Sequence, residues 1–282
     1  MNNRFLQDIR SRFFSTGHPA MLYIGINILI FLLVMLASIV GTFGGSSEVV
    51  SVFVRDYLAF PAAIEMWPTR FYTLVTYAFM HLNFFHILFN LLWLYWMGNL
   101  FVDFLKPRQF HVVYWGGAFL GAIFFALIFN IYPHFNAQGA TLIGASAAVM
   151  SIFAAIATLV PNYSIRLIIF GDVKLKYLLL VYLLIDILGT SSGSGNIGGN
   201  LAHLGGALFG FVYIKLLQNG TDLSSFLIKK PKMKVVRNQP VGKQKNLVNQ
   251  QEIDAILDKI SKTGYDKLTA KEKQILFDAS HN

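Results

Sequence analysis

From Gln109 to Ile165 the chain carries no Asp, Glu, Lys or Arg. A helix that crosses the hydrocarbon of a bilayer needs about 20 mostly apolar residues, because each residue advances it by roughly 1.5 Å. The Gln109–Ile165 window is too long for one such helix, and "YPHFNAQG" divides it, with Pro133 and Gly139 marking a polar turn. Read as apolar windows, the chain gives six spans, the fifth shorter than the rest. They are about Met21 to Gly41, Phe84 to Asp103, Gln109 to Tyr132, Gly139 to Val160, Lys176 to Leu188 and Gly198 to Leu217. With 55% hydrophobic and only 13% charged residues among 282, the expected class is an all-α polytopic membrane protein. The polar, basic first 20 residues are too long for a signal-peptide start, and the apolar run after them is long enough to remain as a span. The chain has no cysteine, which excludes disulfides, thiolate metal sites and cysteine nucleophiles.

The net charge of +9 is better explained by topology than by nucleic acid. Arg4, Arg10 and Arg12 precede the first span, Lys106 and Arg108 separate spans 2 and 3, and Arg166, Lys174 and Lys176 separate spans 4 and 5. The connectors between spans 3 and 4 and between spans 5 and 6 have no Lys or Arg. Positive charge faces the cytoplasm, so both termini are expected inside. After the membrane domain (21–217), residues 218–250 read as a basic, proline-broken linker able to lie near anionic lipid. Residues 251–282 read as a small helical hairpin. Ile253, Ile256, Leu257 and Ile260 form its apolar stripe, Gly264 stops its first helix, and Thr269 with Glu272 forms a capping box for its second.

Polar residues inside spans need a reason, since hydrocarbon penalises them. Counted from the outer ends of their spans, Ser146 lies about 10 Å deep and His203 about 7 Å deep. His86 and Asn90 fall in the first two turns of span 2, four residues apart and so on one face. A lone serine in a span ordinarily bonds its own helix, and a lone asparagine often joins two helices. Convergence of four such groups, from three spans, at one depth asks for more. Gly206 and Gly210 allow close helix approach, and Gly144, Ala145 and Ala148 offer a matching small surface on span 4, so the simplest packing sets His203 against Ser146. A serine hydroxyl needs a base within hydrogen-bond reach to become a nucleophile, and histidine is that base near neutral pH. His86, Asn90 and the Ser146 backbone N–H suit the oxyanion of an acyl-transfer intermediate. Asp186, near the outer end of span 5, is expected to reach the membrane interface, which leaves a dyad with no carboxylate behind the histidine.

Three motifs carry a family resemblance. "HLNFFHILFN" contains His81, His86 and Asn90, "GASA" contains Gly144 and Ser146, and "AHLGGALFG" contains Ala202, His203, Gly206 and Gly210. In order and topology the region from about Met21 to Leu217 resembles the rhomboid intramembrane serine proteases, in particular their bacterial, six-span form. The resemblance implies that Ser146 is the nucleophile and His203 the general base and then acid. It also implies that His86 and Asn90 line the oxyanion site, His81 braces the first outer loop, and Gly144, Gly206 and Gly210 are structural. It implies hydrolysis of peptide bonds in or beside transmembrane segments of other membrane proteins, with no metal and no cofactor. The implied location is a bacterial inner membrane, with the active site open to the outer side. Four positions depart from the common pattern: Tyr72 and Thr73 stand where many members have Trp-Arg, Ala147 follows the serine in place of Gly, and Met150 replaces an aromatic that stacks on the histidine. Altered histidine positioning is the expected consequence. The loop "GTSSGSGNIGG" suits a movable cap, and the short, leucine-rich span 5 suits a lateral gate. The rival function is a catalytically inactive rhomboid-like binding or quality-control factor, but such proteins typically lose the serine or the histidine, and both are present. A transporter would show midplane charges and broken repeated helices. A zinc protease would show H-E-x-x-H and an aspartyl protease paired intramembrane aspartates, and neither is found.

Overall fold

A computed structural model describes residues 18–46, 48–132, 134–167, 171–191, 196–227 and 250–280. The basic N-terminal segment, most of the tail linker and residues 192–195 of the expected cap lie outside these. The chain divides into two compact units, Met1–Lys229 and Lys230–Asn282. The fold is all-α and polytopic. In the first unit the principal helices are α1 (Pro19–Phe43), α2 (Phe84–Phe104), α3 (Pro107–Ile131), α4 (Ser146–Leu159), α5 (Leu175–Ser191) and α6 (Ile197–Gln218). Among the described residues four helices, α1, α2, α3 and α6, are long and apolar enough to cross a membrane. α4 and α5 are shorter, at 14 and 17 residues.

α4 is the hub. Every residue from Ala147 to Ala157 is buried, so the helix is apolar all round and needs neighbours on every side. α3 and α6 supply the most extensive of these, and α2 and α5 close the remaining sides. Gly206 and Gly210 account for the closeness, but they meet the backbone at Ala147 and Ser151 where Gly144, Ala145 and Ala148 were expected. A Cβ at Gly206 would collide with the Ala147 carbonyl, and one at Gly210 with that of Ser151. The Ser151 hydroxyl donates to Val113 O at 2.9 Å, joining α4 to α3. α1 packs on α2 and α3, where Tyr23 stacks on Tyr114 and its hydroxyl pairs with His111 Nδ1 at 2.9 Å.

α2 begins where expected because Asn83 accepts hydrogen bonds from the N–H groups of Phe85 and His86, satisfying two donors of the first turn. α4 does not begin where expected. The span from Gly139 was read as continuous helix, but Thr141–Leu142 is a short strand, β2, paired antiparallel with β1 (Phe60–Pro61) in the α1–α2 loop. Gly144 follows at φ +111°, a conformation that ends any right-handed helix, so the helix starts at Ser146 itself. The α4–α5 connector, read as a simple turn, is a hairpin of β3 (Ser164–Leu167) and β4 (Gly171–Lys174).

Residues at the start of the expected linker pack on the bundle. Asp222 accepts from Arg108 Nη2 at 3.1 Å and Gln109 Nε2 at 3.2 Å on α3, and from the Tyr213 hydroxyl at 3.2 Å on α6. This clasp folds the described residues just after α6 back onto the bundle. In the second unit, α7 (Gln250–Thr263) and α8 (Ala270–Ser280) follow one another and pack together. Gly264 sits at φ +81°, and the capping box is made, with Thr269 N–H donating to Glu272 Oε2 at 2.7 Å and Glu272 N–H to Thr269 Oγ1 at 3.4 Å. Lys259 Nζ pairs with Glu272 Oε1 at 2.8 Å between the two helices.

Candidate active site

A cavity of about 450 Å³ opens where α2, α4, α5 and α6 meet. Its wall includes Ser146 and Met150 of α4, His86, Asn90 and Trp93 of α2, Tyr182 of α5, and His203 with Asn196 at the start of α6. The four polar groups expected to converge therefore share one cavity.

Ser146 is half-buried and is the first residue of α4. The placement about 10 Å down a helix is thus replaced by a position at the helix N-terminus. There the first backbone N–H groups have no intrahelical acceptor and carry the positive end of the helix dipole. The residue before it, Ala145, offers no side-chain cap. This end of α4 is suited to receive a negative oxygen.

The segment leading to the serine is fixed from the α1–α2 loop. Gly144 N–H donates to Tyr77 O at 2.8 Å, and Ala145 N–H to His81 Nε2 at 3.4 Å. His81 is 1% exposed, and its Nδ1 faces Phe79 O at 3.3 Å. A carbonyl can only accept, so Nδ1 carries the proton and Nε2 accepts. Nε2 also receives the Asn90 amide at 3.3 Å, while the same amide nitrogen donates to His86 O at 3.0 Å. His81 thus ties the serine loop to α2. His86 is half-buried, and its ring occupies the space beside Gly144, where a Cβ would lie 2.7 Å from His86 Nε2.

His203 is 8% exposed. Its Nδ1 lies 3.0 Å from Asp186 Oδ1 and 3.1 Å from Oδ2. Asp186 is itself buried, at 4% exposure, which overturns its expected place at the membrane interface and the absence of a carboxylate behind the histidine. The reason is the face it occupies. Asp186 points inward from α5, which continues through Gly189 and Thr190 to Ser191, beyond the expected end at Leu188. Tyr182, one turn earlier on the same face, sets its ring 6.0 Å from that of His203. Met150 is buried in the cavity wall, and an aromatic neighbour for the histidine comes from α5 instead of α4. The spacing Leu175, Leu178/Leu179, Tyr182, Asp186 was the available signal: it is a helical stripe that ends in the acid.

Residues 68–219 match the Rhomboid domain family, and residues 243–282 match a family of unknown function (DUF6576). RHOMBOID-like protein 12, mitochondrial, of Arabidopsis thaliana is 34% identical over 149 residues, which cover 49% of this chain and 44% of that protein. Presenilin-associated rhomboid-like protein A, mitochondrial, of Danio rerio is 28% identical over 148 residues, covering 52% of this chain and 37% of that protein. The chain thus spans less than half the length of either curated relative.

Proposed function

The chain belongs to the rhomboid family of multi-pass membrane proteins, and on that premise we propose that it is an intramembrane serine endopeptidase acting on transmembrane segments of other proteins. The observation that carries this reading is the single cavity shared by Ser146 and His203, from helices held together by backbone contact at Gly206. His203 takes the Ser146 hydroxyl proton as Oγ attacks the scissile carbonyl carbon. The resulting oxyanion is received by the Ser146 N–H, with His86 and Asn90 beside it. Collapse breaks the peptide C–N bond, the proton on His203 passes to the leaving amine, and water then hydrolyses the acyl ester by the reverse proton path. In this reading His81 holds the serine loop, and Gly144, Gly206 and Gly210 provide clearance.

Substrates are membrane proteins, admitted past α5 on the lipid side. A crosslink joining α5 to α2 stops cleavage of a membrane reporter if this route is correct, and leaves it unchanged if it is not. Both termini face one side of the bilayer and the cavity opens to the other. Single cysteines placed in the loops of this cysteine-free chain map that directly. Both relatives are named as mitochondrial proteins, which gives no support to a bacterial inner membrane as the host. The deciding assay is cleavage of a single-span reporter: Ser146→Ala and His203→Ala each abolish it if the assignment holds. A folded variant that still cleaves at the wild-type rate overturns the assignment of these two residues, whereas a folded wild-type protein that cleaves nothing points to the rival, a binding factor without this chemistry.

A further inference from the structure

We infer that Asp186 is a positioning residue for His203, so that the site works as a Ser146–His203–Asp186 relay and not as a dyad. This rests on the protease reading above. α5 is largely lipid-facing: Leu184, Ile185, Ile187 and Leu188 are 48%, 61%, 50% and 64% exposed. Only Leu175 and Asp186 of its 17 residues are buried. A carboxylate within a span is costly unless it is paired, and a headgroup-level acid would point outward with its neighbours. Asp186 does the opposite. It turns away from the lipid and sets both oxygens against one nitrogen of one ring, at 3.0 and 3.1 Å.

The chemistry of that contact is directional. An ionised carboxylate has only acceptors, so His203 Nδ1 must be the donor. The neutral ring is then the Nδ1–H tautomer, which leaves the Nε2 lone pair as the base that faces away from Asp186. The carboxylate also stabilises the imidazolium formed once Nε2 has taken the serine proton, and it holds the ring against rotation. Tyr182, one turn earlier on α5, lies beside the ring at 6.0 Å between centroids. These two α5 residues offset the change at Met150, where the ring lacks an aromatic neighbour from α4.

The test has two parts. In the wild-type protein with ¹⁵N-labelled histidine, assigned by comparison with His203→Gln, the neutral His203 ring is expected to be protonated on Nδ1. A ring protonated on Nε2 overturns the inference, and this part needs no Asp186 variant to fold. In the reporter assay, scaled to folded protein, Asp186→Asn is expected to lower kcat by up to about 10⁴-fold with KM little changed, the loss seen when the orienting aspartate of a serine triad becomes asparagine. Asp186→Glu is expected to recover at least about tenfold of that loss, because it restores an acceptor-only group. An Asn variant with wild-type kcat per folded molecule, or a Glu variant no better than Asn, shows that Asp186 serves only the fold. If Ser146→Ala or His203→Ala cleaves normally, the protease reading itself fails, which is a different outcome from a normal rate in Asp186→Asn alone.

Discussion

The α4–α6 seam and α5 hold the two sides of the same histidine in opposite ways. At the seam, backbone meets backbone: Gly206 and Gly210 leave no room for a Cβ against α4, and every residue from Ala147 to Ala157 is buried. α5 presents most of its surface outward and reaches inward mainly through Leu175, Tyr182 and Asp186. Close-packed interiors resist deformation, so the seam fixes where Ser146 and His203 stand. α5 supplies orientation from a helix with much less holding it. A displacement of α5 would separate Asp186 from His203 without moving the serine, so in the proposed mechanism the admission of a membrane segment and the alignment of the base fall to one element.

Substitutions on the two sides sharpen that contrast. Gly206→Val is expected to have the largest effect, because its side chain meets the Ala147 backbone, which cannot give way. Overpacking of this kind costs about 1–3 kcal/mol or more, and a lower melting temperature should accompany loss of cleavage. Gly144→Ala comes next. It imposes φ +111° on a residue with a Cβ and drives that Cβ towards His86. A strain of about 1–3 kcal/mol should appear mainly as reduced kcat, and an alanine variant of wild-type activity would show that the serine loop is not held by this glycine. On α5, Tyr182→Ala is expected to lower kcat about tenfold, the scale of roughly 1.4 kcal/mol, with little change in melting temperature. Leu184→Ala, on the outward face, should change stability by less than about 0.5 kcal/mol. A drop as large as that at Gly206 would mean that α5 is packed as tightly as the seam.

The clasp at the far end provides a control with a different signature. Partial burial of Asp222 disfavours its charge, but hydrogen bonds from Ser224, Arg108 and Tyr213 outweigh that and bring its carboxyl from 3.8 down to about 2. A depressed carboxyl contributes stability above its unfolded value and loses it as pH falls through the folded one. Thermal stability should therefore decline between about pH 4 and 2, and Arg108→Ala should flatten that decline. Its effect near neutral pH should be about 1 kcal/mol or less, since the pair is partly solvated.

Much of this was legible from side-chain chemistry alone. The start of α2 near Phe84 follows from counting one span back from Asp103, and glycine spacing pointed to the helices that bring Ser146 and His203 into the wall of one cavity. Two placements were not legible, for separate reasons. Thr141 to Ile143 belong to an uninterrupted uncharged run, so composition could not separate a strand from a helix, and the break depends on the backbone of Gly144. Asp186 was misplaced because the apolar signal of α5 fades at Leu188, while its hydrogen bonding continues through Gly189 to Ser191, with Thr190 Oγ1 donating to Asp186 O at 2.9 Å. Hydropathy marks where a helix is apolar, and not where it stops or which way a lone acid on it faces.

The central claim is that α4 and α6 create a reactive serine from Ser146 and His203. Treating the full chain in membranes with a fluorophosphonate and locating the adduct by mass spectrometry tests this most directly, because labelling needs no substrate passage. Ser146 should carry the adduct, and His203→Ala should remove nearly all of it. A folded protein modified elsewhere, or a His203→Ala variant labelled at the wild-type rate, would contradict it.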